Sequence, residues 1–135
     1  MGLYASKNYL KKFGTPKKIE DLESHQMISS SSRSKEALEL FNWHLKLGKD
    51  LLQKSFKPYL TSNHCFAVAK NDLGIAFLAK ENRLLKEKKE LIEVLPEIKK
   101  PQGNVFFVYS EHLRKNRPIK LFADFVMQAI KKEVS

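Results

Sequence analysis

The chain has 135 residues, 42% of them hydrophobic, enough for one domain with a real core and too apolar for a disordered segment. No apolar run approaches the ~20 residues that a membrane-spanning helix needs, and the opening residues lack the long apolar stretch and cleavage site of a secretory signal. The net charge of +10 is spread evenly, with 11 basic and 6 acidic residues in 1–67 and 14 and 9 in 68–135, which reads as solvated surface rather than one phosphate-tracking face.

In chain order, Leu3-Tyr4-Ala5 close a strand. Ser6 is a good N-cap for a helix over "KNYLKKF", whose Tyr9, Leu10 and Phe13 share one side, and Gly14 supplies the C-terminal stop. Thr15-Pro16 opens a second short helix, "KKIEDLESH", with acids early in it. Met27-Ile28 then run into "SSSSRS", a polar loop or hinge. In "FNWHLKL", Phe41, Trp43, Leu45 and Leu47 alternate with Asn42, His44 and Lys46, the pattern of a half-buried strand. Gly48-Lys49-Asp50 turns, and 51–61 returns as the second strand of a hairpin. "SKEALELF", just upstream, also fits a helix, so that boundary stays open.

Ser62 or Asn63 caps a short apolar helix that contains Cys65. Asp72-Leu73-Gly74 then turns into "IAFLA", a continuous apolar run typical of a strand covered on both faces. A helix follows over "KENRLLKEKKE", then a short strand "LIEVLP" halted by Pro96, a Pro/Gly loop, and a buried strand "VFFVYS". The last helix begins near Asn116 with Pro118 in its first turn. Its apolar stripe is Ile119, Phe122, Phe125, Val126, Ala129 and Ile130. Strands alternate with helices, so the fold class is α/β.

Several motifs that carry chemistry elsewhere have plainer readings here. "MGLYAS" fits the acceptor pattern for N-myristoylation at Gly2, but Ser6 serves equally as a helix cap. Ser32-Arg33-Ser34-Lys35 matches Ser-x-x-Lys, without the Ser-Asp-Asn and Lys-Thr-Gly partners that a Ser-acylating enzyme needs. His64-Cys65 is half of a metal or thiol site at most, because His25, His44 and His112 are scattered. Cys65 lies in an apolar run, which favours a structural thiol. As the only cysteine it forms no intrachain disulfide and fits a reducing cytoplasm. No catalytic residue, metal or cofactor is indicated.

Together the segments resemble the effector-binding domain of LysR-type transcriptional regulators. "YASKNYLKKFGTPKKIEDLESH" is similar to the family's Ser-x-x-Tyr-Leu, Gly-x-Pro, Asp-Leu and His signature, at Ser6, Tyr9-Leu10, Gly14, Pro16, Asp21-Leu22 and His25. The Trp43 region, "SN", "LGIAFL", "LIEVLP" and "VFFVYSEHLRKNRPIKLFADFV" follow in the family's order, so the match runs from Tyr4 to about Val126.

The resemblance implies a two-lobed, periplasmic-binding-protein-like α/β domain. Residues 1–104 correspond to the second lobe, and 105–135 to the closing strand and helix of an incomplete first lobe. It implies a cytoplasmic, non-enzymatic sensor without its DNA-binding winged helix-turn-helix, linker helix and opening half-lobe. Such a chain does not bind DNA alone and self-associates through uncovered apolar surface; the alternative is a module that docks on a full-length regulator. The family cleft maps to Ser29, Ser30, Ser31 and Ser32 and to Ser62 and Asn63. Their hydroxyls and a helix N-terminus suit a small, anionic effector. Two departures point to an altered pocket: 63–74 is about one helical turn short of the family pattern, and Ala79 stands where the family has Pro.

Overall fold

The computed structural model describes residues 1–80, 85, 89–101, 111–113 and 115–134. The chain divides into two compact units, Met1–Gln102 and Gly103–Ser135.

The first unit is built on a five-stranded mixed sheet. Its strands are β1 (Gly2–Ser6), β2 (Met27–Ser30), β3 (Pro58–Ser62), β4 (Ile75–Leu78) and β5 (Leu91–Val94), in the spatial order β3-β2-β4-β1-β5. β1 pairs antiparallel with β4 and β5, while β2 pairs parallel with β3 and β4. Alternate residues of a strand point to opposite faces, and both faces of the central strands β1, β2 and β4 are covered. Leu3, Ala5, Ile75 and Phe77 join one core with Tyr9, Leu10, Leu22 and Met27. Tyr4, Ala76 and Leu78 join the other with Ile28 and Ala69. That is why "IAFL" is apolar at every position. Each fully buried Leu or Ile adds about 1.5–3 kcal/mol.

Among the described residues, four short helices and two 3₁₀ segments pack around this sheet. In α1 (Lys7–Phe13), the Ser6 hydroxyl caps the Tyr9 N–H at 3.1 Å and donates to Asp72 Oδ1 at 2.6 Å. Gly14 ends the helix with φ 83°. The second predicted helix is a 3₁₀ segment, Ile19–Ser24, where the Asp21 carboxylate accepts from the Lys17 and Lys18 N–H groups. α2 spans Lys35–Phe41, α3 Lys49–Leu52 and α4 Cys65–Lys70. The turn into β4 places Asp72 at φ 65° and Gly74 at φ 151°. A Cβ on Gly74 would collide with the Gln26 carbonyl, so the close approach of β2 and β4 requires glycine there.

Three expectations are corrected. "FNWHLKL" is not a strand: α2 ends at Phe41 and a 3₁₀ segment covers Trp43–Lys46, so the hairpin is absent and only Pro58–Ser62 of its second arm is extended. The apolar alternation reflects Trp43, Leu45 and Leu47 docking on the core from short helical turns. Ser29 and Ser30 belong to β2 rather than to a loop, because Ser29 and Ser30 pair with Thr61 and Ser62 of β3. Neither Ser62 nor Asn63 is the N-cap of α4. Ser62 ends β3, and His64 occupies the cap position. The helix predicted over 80–90 and the strand over 105–110 fall wholly or largely outside the described residues.

In the second unit, the short 3₁₀ turn Glu111–Leu113 precedes α5 (Arg117–Val134). Asn116 Oδ1 accepts the Ile119 N–H at 3.2 Å, so the helix starts where the sequence places it. Of its apolar stripe, Phe122 and Phe125 are exposed, as are Leu121 and Met127.

Candidate functional site

A cavity of about 450 Å³ opens at the carboxyl ends of β2 and β4 and the start of α4. Ser30, Asn63, His64 and Cys65 supply its polar lining, and Phe41, Phe66, Ala67, Phe77, Leu78 and Ala79 its apolar walls. The carboxyl ends of parallel strands are where open α/β sheets take ligands. None of the lining residues is Lys, Arg, Asp or Glu. The chemistry on offer is hydrogen bonding from a few polar groups around an apolar pocket.

The six residues singled out in the sequence separate here. Ser30 and Asn63 line the cavity. Ser29 is buried, and its hydroxyl lies 2.5 Å from Thr61 Oγ1, knitting β2 to β3. The Ser31 N–H donates to the Ser62 carbonyl at 3.1 Å. Ser32 is exposed and accepts the Ser34 N–H at 3.2 Å. Ser62 supports the rim, accepting the His64 N–H on its hydroxyl at 3.0 Å.

Cys65 lines the cavity, and its thiol donates to the Ser62 carbonyl at 3.2 Å. Burial pushes the thiol up, against an opposing pull from the Ser30 side chain, so the sulfur is not an activated nucleophile. Ser32 and Lys35 are both exposed, and the hydroxyl that caps α2 is Ser34, which accepts the Ala37 N–H. Gly2 is buried in β1, paired with Leu78. Among the described residues, no group of three or more His, Cys, Asp or Glu is placed to hold a metal ion.

Sequence reasoning missed two side chains behind the cavity. The Asn42 carboxamide accepts the Ser30 N–H at 2.6 Å and donates to the Ser30 carbonyl at 2.9 Å. His44 is fully buried, with Nε2 2.8 Å from the Ile28 carbonyl. Burial holds its pKa at about 4, with the Ile28 and Phe41 carbonyls opposing. The only signal was two polar residues in an apolar alternation, which pattern reading assigns to solvent. A second cavity of about 300 Å³, near the amino ends of β2 and β3, is bordered by His25, Lys57 and the Glu23–Lys54 ion pair.

No protein-family model matches the chain. In sequence it is 36% identical over 122 residues to an uncharacterized HTH-type transcriptional regulator of Haemophilus influenzae, a match covering 87% of this chain and 40% of that protein. In structure it is similar to the regulatory domain of CrgA, a LysR-type transcriptional regulator from Neisseria meningitidis. There the TM-score is 0.66 at 22% identity, over 94% of this chain and 63% of that one. A longer CrgA structure gives 0.67 at 22% identity, over 95% of this chain and 44% of that one. The chain therefore spans less than half the length of the curated relative it matches. Among the described residues no helix is long and apolar enough to cross a membrane. By fold the chain resembles part of the regulatory domain of the LysR-type regulator CrgA, and by sequence it is similar to part of an HTH-type transcriptional regulator.

Proposed function

We propose that the chain is the effector-sensing part of a cytoplasmic, non-enzymatic regulator, and that the cavity between β2, β4 and α4 receives the effector. Residues 1–104 form the second lobe in this reading, and 105–135 return to the first. The observation that carries it is the cavity itself: apolar walls from Phe41 and Phe66, with Ser30 and Asn63 at the carboxyl ends of the strands. Such a lining takes a small molecule with an apolar body and a polar head. The net charge of +10 favours an anionic head at long range.

Titration of ¹⁵N-labelled protein with benzoate and with benzamide tests the site. Both are expected to move the amide resonances of Ser30, Asn63 and His64, with benzoate the tighter. No response at Ser30 or Asn63 at about 10 mM of either compound would remove the reading. Shifts confined to His25 and Lys57, at the other cavity, would do the same.

The reading also includes self-association. The exposed Leu121, Phe122 and Phe125 of α5 form an apolar face of the kind that oligomers cover. Light scattering at high concentration should show a dimer or larger species, and a clean monomer rejects this part.

A further inference from the structure

We propose that Asn42 and His44 are positioning residues that replace β4 along the carboxyl half of β2 and so set the β2 wall of the cavity.

Alternate residues of a strand send their backbone groups to opposite edges. The Gln26 carbonyl accepts from the Ile75 N–H of β4, and the Ser31 N–H donates to the Ser62 carbonyl of β3. Residues 26, 28 and 30 therefore face β4. Pairing between β2 and β4 stops at Ile28 with Ala76, while β4 continues beside β1, with Phe77 opposite Leu3 and Leu78 opposite Gly2. Beyond that point β2 has three backbone groups directed at a strand that no longer pairs with it. All three are taken by side chains from the chain between α2 and α3: the Ile28 carbonyl by His44, and the Ser30 N–H and carbonyl by Asn42.

A carboxamide presents one donor and one acceptor side by side, as a strand backbone does, so Asn42 stands in for a β4 residue. A carbonyl only accepts, so the His44 Nε2 that meets the Ile28 carbonyl carries the proton. The Trp43 and His44 rings lie 5.4 and 5.7 Å from the ring of Phe77, a residue of the cavity lining. The sheet thus splits where the cavity opens, and the two side chains hold the split. The bearing of this device on effector binding rests on the cavity being the effector site.

The test reads the split directly. In Asn42→Ala, the Ser30 amide should exchange with solvent about tenfold faster, while Ser31, bonded to β3, keeps its protection. Asn42→Asp retains the acceptor for the Ser30 N–H and loses the donor. It should keep Ser30 protected, and it serves if the Ala variant does not fold. Cys65 is the only cysteine and lines the cavity, so its alkylation by iodoacetamide reports the wall. Alkylation should be several-fold faster in Asn42→Ala and unchanged in Ile19→Ala, a packing defect outside the cavity lining and outside the core against which Cys65 packs.

Equal acceleration of Ser30 and Ser31, or equal alkylation in the Ile19 control, overturns the proposal, because both are the signs of general loosening. Benzoate separates the two readings. Protection of Cys65 by benzoate in the unaltered protein supports the effector site. Its absence sinks the effector site alone, since the Ser30 exchange still decides the role of Asn42.

Discussion

The Tyr9 hydroxyl and His25 Nδ1 meet at 2.9 Å, joining α1 to the approach of β2. The same oxygen accepts the Gln26 N–H at 2.9 Å, and the Gln26 carbonyl accepts the Ile75 N–H at 2.8 Å. One side chain of α1 thus sets the register in which β2 lies beside β4. Burial raises the Tyr9 hydroxyl and lowers His25, so both are uncharged at neutral pH. The Tyr and His of the family-like signature therefore act together as a lock on the fold, tying α1 to the approach of β2.

Tyr9→Phe removes that lock while keeping the ring that stacks on Phe13, centroids 4.6 Å apart. It leaves the half-buried Gln26 N–H without its partner. The expected loss is about 1–2 kcal/mol, read by urea unfolding at pH 7. A loss below the error of the measurement shows that water replaces the hydroxyl and that the lock adds nothing.

Gly74 and Gly14 separate collision from strain. Both have positive φ, 151° and 83°, but only at Gly74 does a Cβ meet backbone, whereas nothing lies within 4 Å of one at Gly14. Gly14→Ala should cost about 1–3 kcal/mol from backbone strain alone, because φ 83° with ψ 161° is a conformation that only glycine adopts readily. Gly74→Ala should cost more, about 3 kcal/mol or above, because β2 and β4 must also move apart. Equal midpoints in urea for the two variants reject the collision.

His44 makes the fold sensitive to acid. Its folded pKa is about 4, whereas a histidine in the unfolded chain titrates near ~6.5. Between those values the unfolded state binds a proton that the folded state does not. The contribution is complete above about pH 6.5 and is lost as the pH falls toward 4, by about 1.4 kcal/mol per unit. The pKa of His25 is also lowered and acts in the same direction, so the comparison must be made against a variant. His44→Gln keeps an N–H for the Ile28 carbonyl and has no titrating ring. Urea unfolding at several pH values from 4.5 to 7 should show a steeper decline in the unaltered protein than in His44→Gln. Parallel curves show that His44 is accessible to protons in the folded state.

What the sequence made legible was decided locally. The Ser6 cap, the Gly14 stop, the Asp72–Gly74 turn, the apolar run of β4 and the start of α5 each depend on a few adjacent residues, and each stands where it was read. The region 41–47 failed because pattern reading sends polar residues to solvent. Asn42 and His44 point inward because β2 leaves three backbone groups facing β4 without a partner there, a need created by a strand at least 12 residues away. The candidate site was legible only in part for the same reason. A run of serines looks uniform, yet the strand alternation sends the side chains of successive members to opposite faces of the sheet.

That alternation yields the last prediction, a series through the serines. Ser30 lines the cavity, so Ser30→Ala should weaken benzoate binding about three- to tenfold, the loss of one neutral hydrogen bond. The Ser29 hydroxyl faces Thr61, so Ser29→Ala should lower stability by about 1 kcal/mol and leave the affinity unchanged. Ser32 is exposed and holds only the local turn at Ser34, so Ser32→Ala should change neither quantity. Affinity is read by the Asn63 amide shift and stability by urea. Were Ser32→Ala to weaken binding as much as Ser30→Ala, the ligand would lie over the loop rather than in the split between β2 and β4, and the assignment of the cavity would fall with it.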